Sequence, residues 1–209
     1  LAFFDITATL DNRPPDFHQI DELADECFMP MTVGGGVRRV DDFKDLLAVG
    51  ADKVAVNSAA IENERLIADA AERFGAQCVV AAIDVKRTEE HGGEGWRVWS
   101  RCATQPAELD PVDWAKRCEE LGAGEILLTS IDQDGTMEGY DLAITRAVSD
   151  AVSIPVVASG GAGSYEHMAQ AVLDGGASAV AAASLYHFTE ATPREAKLHL
   201  KERGIPVRL

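Results

Sequence analysis

A chain of 209 residues, 46% of them apolar, can bury one sizeable core. Its formal charge of -16, from 35 acidic against 19 basic residues, works against nucleic acid and anionic membranes as partners. Cys27, Cys78, Cys102 and Cys118 form no CxxC pair, so no metal framework is expected. A reducing, cytoplasmic compartment is, since no apolar run reaches membrane-spanning length.

In chain order, a strand is predicted over 2–6, close to Asp5. A helix follows over 15–27, with Phe17, Ile20, Leu23 and Ala24 at helical spacing. A short strand over 30–33 runs into Gly34-Gly35-Gly36. Then come a helix over 41–49, a strand over 53–57 and a helix over 63–74. The run Val79-Val-Ala-Ala-Ile-Asp84 reads as a strand buried on both faces and stopping on a carboxylate. Cys78, opening it, is expected to be a small buried hydrophobe.

A polar excursion over 88–110 contains HGGEG and the alternating WRVWS, a short rim hairpin. Beyond it the pattern predicts a helix over 111–121 with proline in its first turn, and a strand over 125–131. A helix over 141–152, a strand over 155–158, a helix over 165–173, a strand over 179–183 and a helix over 193–203 complete it. Strands and helices alternate without a linker, as in a single α/β domain of βα units over 1–209. Seven strands are counted where a closed barrel has eight, so one strand and its helix are expected ahead of Leu1.

The chain also repeats itself. Pro30–Gly36 aligns with Pro155–Gly161 at an offset of 125, and Gly50, Ala51 and Val54 match Gly176, Ala177 and Val180 at 126. Each half carries a glycine-rich turn before a helix, where free backbone N–H groups favour an anion. The candidate phosphate residues are Gly36, Asn57 and Ser58 in one half, and Gly161, Ala162, Ala183 and Ser184 in the other. Such glycines also serve tight turns.

Asp84 and Asp134 are the candidate proton-transfer pair, because strand ends of a parallel barrel face its active site. Asp84 could instead cap a helix or pair with Lys86 or Arg87, and Asp134 could belong to a plain Asp–Gly turn. Thr129, Ser130 and Ser159 could hydrogen-bond a substrate. His187 is expected to be structural. Lys53 and Glu125 open their strands on the opposite barrel face, as solvated rim groups or as an inward ring.

The motifs FFDITA, TVGGGVR, GADKVAVNSAA, VVAAIDVKR, LGAGEILLTSIDQDGT, GYD, IPVVASGGAG, AAASLYHF and GIPVRL run over almost the whole chain. Together they resemble the cyclase family of imidazole glycerol phosphate synthase (HisF). The resemblance implies a (β/α)8 TIM barrel of the ribulose-phosphate-binding type, lacking here its first strand and helix. It implies a lyase/cyclase of histidine biosynthesis that needs no cofactor or metal. Ammonia from a partner glutaminase (HisH-like) converts the bisphosphate PRFAR to imidazole glycerol phosphate and AICAR.

Asp84 then matches one of two catalytic aspartates, the other lying on the first strand. Asp5, Asp134, Thr129 and Ser159 match supporting positions in the active site. Lys53 and Glu125 match an ammonia gate on the partner face, with Asp52 beside them. Two segments depart from the family pattern. Cys102-Ala103-Thr104 stands where the family carries Gly-Gly and a basic residue, and HGGEG resembles an insertion. The stretch over 3–32 leans toward a paralogous branch that amidates surface-polysaccharide sugars with its own glutaminase.

Overall fold

The computed structural model describes residues 1–88 and 95–209. The strands are β1 (Ala2–Phe4), β2 (Thr32–Gly34), β3 (Lys53–Val56), β4 (Val79–Thr88), β5 (Gly95–Ser100), β6 (Gln105–Pro106), β7 (Glu125–Ser130), β8 (Val156–Ser159) and β9 (Ala179–Val180). Between them run α1 (Phe17–Glu26), α2 (Val40–Ala48), α3 (Ser58–Glu62), α4 (Arg65–Phe74), α5 (Pro111–Glu120), α6 (Leu142–Ser149), α7 (Tyr165–Leu173), α8 (Ser184–Phe188) and α9 (Pro193–Glu202). None is long and apolar enough to cross a membrane.

Seven strands form one parallel path, β1-β2-β3-β4-β7-β8-β9, with helices alternating between them. This curled sheet is the (β/α)8 barrel type. Among the described residues, β1 and β9 are its ends and do not pair with each other.

Side-chain alternation sorts each strand into two faces. On β7, Ile126 and Leu128 are buried under the helices, while Glu125, Leu127 and Thr129 face the barrel interior. Parallel register puts Lys53, Ala55 and Asn57 on the same interior face, with Val80, Ala82 and Asp84 beside them. The main core therefore lies between sheet and helices, around Phe43, Leu46, Ile67, Ile83, Ile126 and Leu128.

The internal repeat is structural. Asp16 caps α1 by accepting from Gln19 N–H, and Asp141 caps α6 by accepting from Ile144 N–H. A β-carbon at Gly35 would collide with the Asp5 carbonyl, and one at Gly160 with the Ser130 carbonyl. Both glycines have positive φ, so each packs one βα loop onto its neighbour. The equivalent α3 and α8 are five-residue helices absent from the sequence expectation, and their N-caps, Asn57 and Ala183, are the residues at which the strands over 53–57 and 179–183 are expected to end.

Three further expectations change. Strand β4 runs past Asp84 to Thr88, because Asp84–Thr88 pair antiparallel with Gly95–Trp99 in a hairpin. Gly95 of the HGGEG segment opens β5, and its other residues lie outside the described ones. Cys78 is only half-buried, in a 3-10 turn ahead of β4; Cys118 of α5 is the buried thiol, its pKa pushed up to about 12 by burial.

Candidate active site

The carboxy-terminal strand ends open into a cavity of about 720 Å³. Asp5, Gly36, Asn57, Ser58, Asp84, Thr129, Asp134, Ser159 and Ala183 all line it. Gly161, Ala162 and Ser184 are not part of the described wall. The Gly161 carbonyl accepts Gly139 N–H at 2.7 Å, and Ala162 is buried in the second core cluster. The first-half cradle thus faces the cavity more fully than the second.

Asp84 sits between Thr129 on one side and Trp99 on the other. Burial, and then the negative charge of Asp134, push its pKa up to about 6. A carboxyl in that range can hold or release a proton near neutral pH. Asn57 Nδ2 donates to Asp84 Oδ2 at 3.0 Å and to the Trp99 carbonyl at 3.2 Å. The alternative pairing of Asp84 with Lys86 or Arg87 does not occur among the described residues. Lys86 lies over the Trp99 ring and Arg87 reaches Asp141.

Asp5 is committed to its own loop. It accepts from Thr7 N–H, Thr7 Oγ1, Ala8 N–H and Arg13, with Arg13 Nη1 2.6 Å from Oδ2. Burial would raise its pKa, but Arg13 and these donors outweigh it and hold the carboxyl below its ordinary value. Ser130, expected to meet substrate, is instead buried against the helix layer. His187 is exposed on α8.

At the far end of the barrel, Lys53 Nζ lies 2.6 Å from Glu125 Oε2. Their strands are separated by β4, roughly 10 Å across two strand spacings, so the pair closes over the interior face. Along β3, Lys53 and Asn57 stand about 13 Å apart at four residues' rise. Asp52 is exposed but engaged, accepting Met31 N–H at 2.7 Å. It therefore fastens the entry to β2, which makes it a poor probe of docking.

A family model described as histidine biosynthesis protein matches residues 1–192. The chain belongs to that family. The match ends at Thr192, the N-cap of α9, so it spans every strand and the whole cavity. Family membership makes this an enzyme barrel of the histidine-biosynthesis type.

Sequence reasoning missed two cationic wall residues, Arg38 and Arg101. Among the described residues Arg38 has no carboxylate at ion-pair distance, and Arg101 reaches Glu62 at 3.4 Å. Arg101, Cys102 and Ala103 have φ of 51, 53 and 62, three successive left-handed residues without a glycine. Such a conformation costs roughly 1–2 kcal/mol per residue. Arg101 N–H donates to Ser58 Oγ at 2.8 Å, and the Cys102 thiol to the Ile6 carbonyl at 2.9 Å, which pins the turn across the mouth.

Glycine suits those angles, and Cys102 and Ala103 do not. Ala103→Gly should therefore raise stability by about 0.5–1 kcal/mol, the reverse of an ordinary Ala-to-Gly change. Chemical denaturation of the pair checks it. A loss of stability would mean that the turn is not strained.

Proposed function

We propose that the chain is the cyclase of imidazole glycerol phosphate synthesis. It uses ammonia from a partner glutaminase to convert PRFAR to imidazole glycerol phosphate and AICAR. The observation that carries this reading is Asp84, a carboxyl with a pKa of about 6 in the cavity wall. Ammonia addition, ring closure and cleavage each move protons near neutral pH, as such a group can.

Other features support the same reading. The Lys53–Glu125 pair stands at the opposite barrel end, with small Ala55 and Ala82 on the interior face between it and Asp84. A bisphosphate would lie across the mouth. One phosphate meets the Gly36 turn and the Ser58 hydroxyl, with Arg38 and Arg101 near it. The other meets the turn of Gly161 and Ala162 and the start of α8 at Ala183 and Ser184. Asp134, Thr129 and Ser159 contact the middle of the substrate.

The test is growth rescue of a histidine auxotroph lacking the cyclase, with PRFAR turnover assayed on ammonium salts. Rescue with both products supports the reading. Absence of both, with ammonia-dependent amidation of a polysaccharide sugar instead, would assign the chain to the paralogous branch. Isomerase activity without ammonia dependence would assign it to the sister enzyme of the pathway.

Docking of the glutaminase is proposed at the amino-terminal barrel face. Phe28 there is 97% exposed and Met29 59%, on the loop entering β2. A projecting aromatic is the usual kind of interface anchor. Phe28→Glu should lower glutamine-dependent turnover about tenfold or more and leave ammonium-dependent turnover unchanged. Equal loss of both activities would refute the docking face.

A further inference from the structure

Strand β3 ends where three segments converge. Asn57 Nδ2 is 3.0 Å from Asp84 Oδ2 on β4 and 3.2 Å from the Trp99 carbonyl on β5. The next residue, Ser58, accepts Arg101 N–H at 2.8 Å. Two adjacent side chains thus hold the catalytic candidate and the strained turn.

The carboxamide can face only one way. Both neighbours of Nδ2 are acceptors, so the flipped amide would set Oδ1 against two oxygens. In the orientation present, Oδ1 is buried and finds no donor among the described residues. Buried acceptors without a donor are uncommon, and here the two acceptors held by Nδ2 account for the orientation. A phosphate-binding role for this side chain, expected from sequence, does not fit a carboxamide whose donors are taken.

We infer that Asn57 is a positioning residue, fixing the Asp84 carboxylate and tying it to β5 so that Asp84 and the Arg101–Ala103 turn keep one geometry. The inference rests on Asp84 being the proton-transfer group of the proposed reaction. A donor on Oδ2 favours the ionised carboxyl and restricts its rotation. The other titratable groups around Asp84 are Asp134 on the β7–α6 loop, and Cys102 and Asp5 across the mouth. Burial, then the charges of Asp84 and Asp5, raise the Cys102 thiol further, so it stays neutral through the window where Asp84 titrates.

The experiment is carbon-13 NMR titration of the Asp84 carboxyl in wild type, Asn57→Ala and Asn57→Ser, with kcat and KM measured across pH. In Asn57→Ala the midpoint should rise by about one unit and the acid limb of kcat should move with it. At pH 7 kcat should fall about tenfold or more, a larger change than that in KM. Asn57→Ser, which can still donate, should recover part of both.

Proton NMR of the Asn57 side-chain amide in the wild type needs no variant. Its resonances should shift through the Asp84 titration, even if Asn57→Ala does not fold. An unmoved Asp84 midpoint with a normal kcat profile, or amide resonances blind to that titration, would overturn the inference. If the midpoint moves but the wild type never turns over the bisphosphate, the reaction assignment fails and the positioning of Asp84 stands.

Discussion

Asp84→Asn should reduce ammonium-dependent turnover about a hundredfold or more and at the same time make the protein more stable at pH 7. The first effect follows from losing a cavity carboxyl whose pKa, about 6, lies near neutral pH. The volume hardly changes, and the new carboxamide still offers an oxygen to Asn57 Nδ2, so binding of substrate should survive. The second effect follows from linkage. The pKa of Asp84 rises from 3.8 unfolded to about 6 folded, so the folded state holds its proton more tightly. Stability contributed by this group is full below about pH 4 and is lost as pH rises through about 6. Above that window the folded protein carries a buried charge that costs roughly 2–3 kcal/mol. Asparagine never ionises and removes that cost. Melting temperatures of variant and wild type should therefore converge near pH 4 and diverge by pH 7. Near-normal turnover with saturating ammonium would show Asp84 to be structural. Equal melting temperatures at both pH values would show that its burial carries no penalty.

Much of this was legible in the residues because the signals are local. The apolar run Ile126–Leu128 announces β7 from the residues alone, although only its alternating burial separates Thr129, on the cavity side, from Ser130 in the core. Asp110 and Pro111 announce α5, and Asp110 accepts from Val112 and Asp113 N–H as a cap should. The offset repeat brought Gly35 and Gly160 to equivalent loops, where each lies close against a neighbouring carbonyl. Three features depended on contacts between distant residues, and a fourth on helix length. Strand β4 continues past Asp84 only because β5 returns beside it. Asn57 reads as a phosphate ligand until Trp99 and Asp84 are found at its amide. Asp5 looks free until Arg13 folds back onto it. The five-residue helices α3 and α8 are too short for hydrophobic periodicity to report.

Asp141→Ala should destabilise the protein by about 2–4 kcal/mol, more than any neighbouring surface carboxylate. No motif marks this residue beyond its place in GYD, yet its side chain is 1% exposed and three elements depend on it. Oδ2 accepts from Arg87 Nε at 3.2 Å and Trp96 Nε1 at 3.0 Å, and lies 3.1 Å from Arg87 Nη2. Oδ1 caps α6 at Ile144 N–H. Arg87 in turn stacks on Trp96, 5.2 Å from the ring centre. One carboxylate thus joins the β4–β5 hairpin to the helix after β7. Alanine removes the cap, worth about 1 kcal/mol, and strands the Trp96 N–H, worth roughly 1–3. The half-exposed Arg87 adds little, because it can turn to water. Asp132, exposed on the same loop, accepts Arg87 N–H at 2.8 Å and no other donor among the described residues, so Asp132→Ala should cost about 1 kcal/mol or less. Hydrogen exchange should show faster opening of Arg87, Thr88 and Trp96 in Asp141→Ala, with β7 and β8 protected as before. The Asp84–Asn57 contact lies at the base of the same hairpin, so turnover should also fall. If denaturation gave Asp141→Ala and Asp132→Ala equal losses, the hairpin would be held by its backbone pairing alone, and the Arg87–Asp141–Trp96 cluster would contribute nothing.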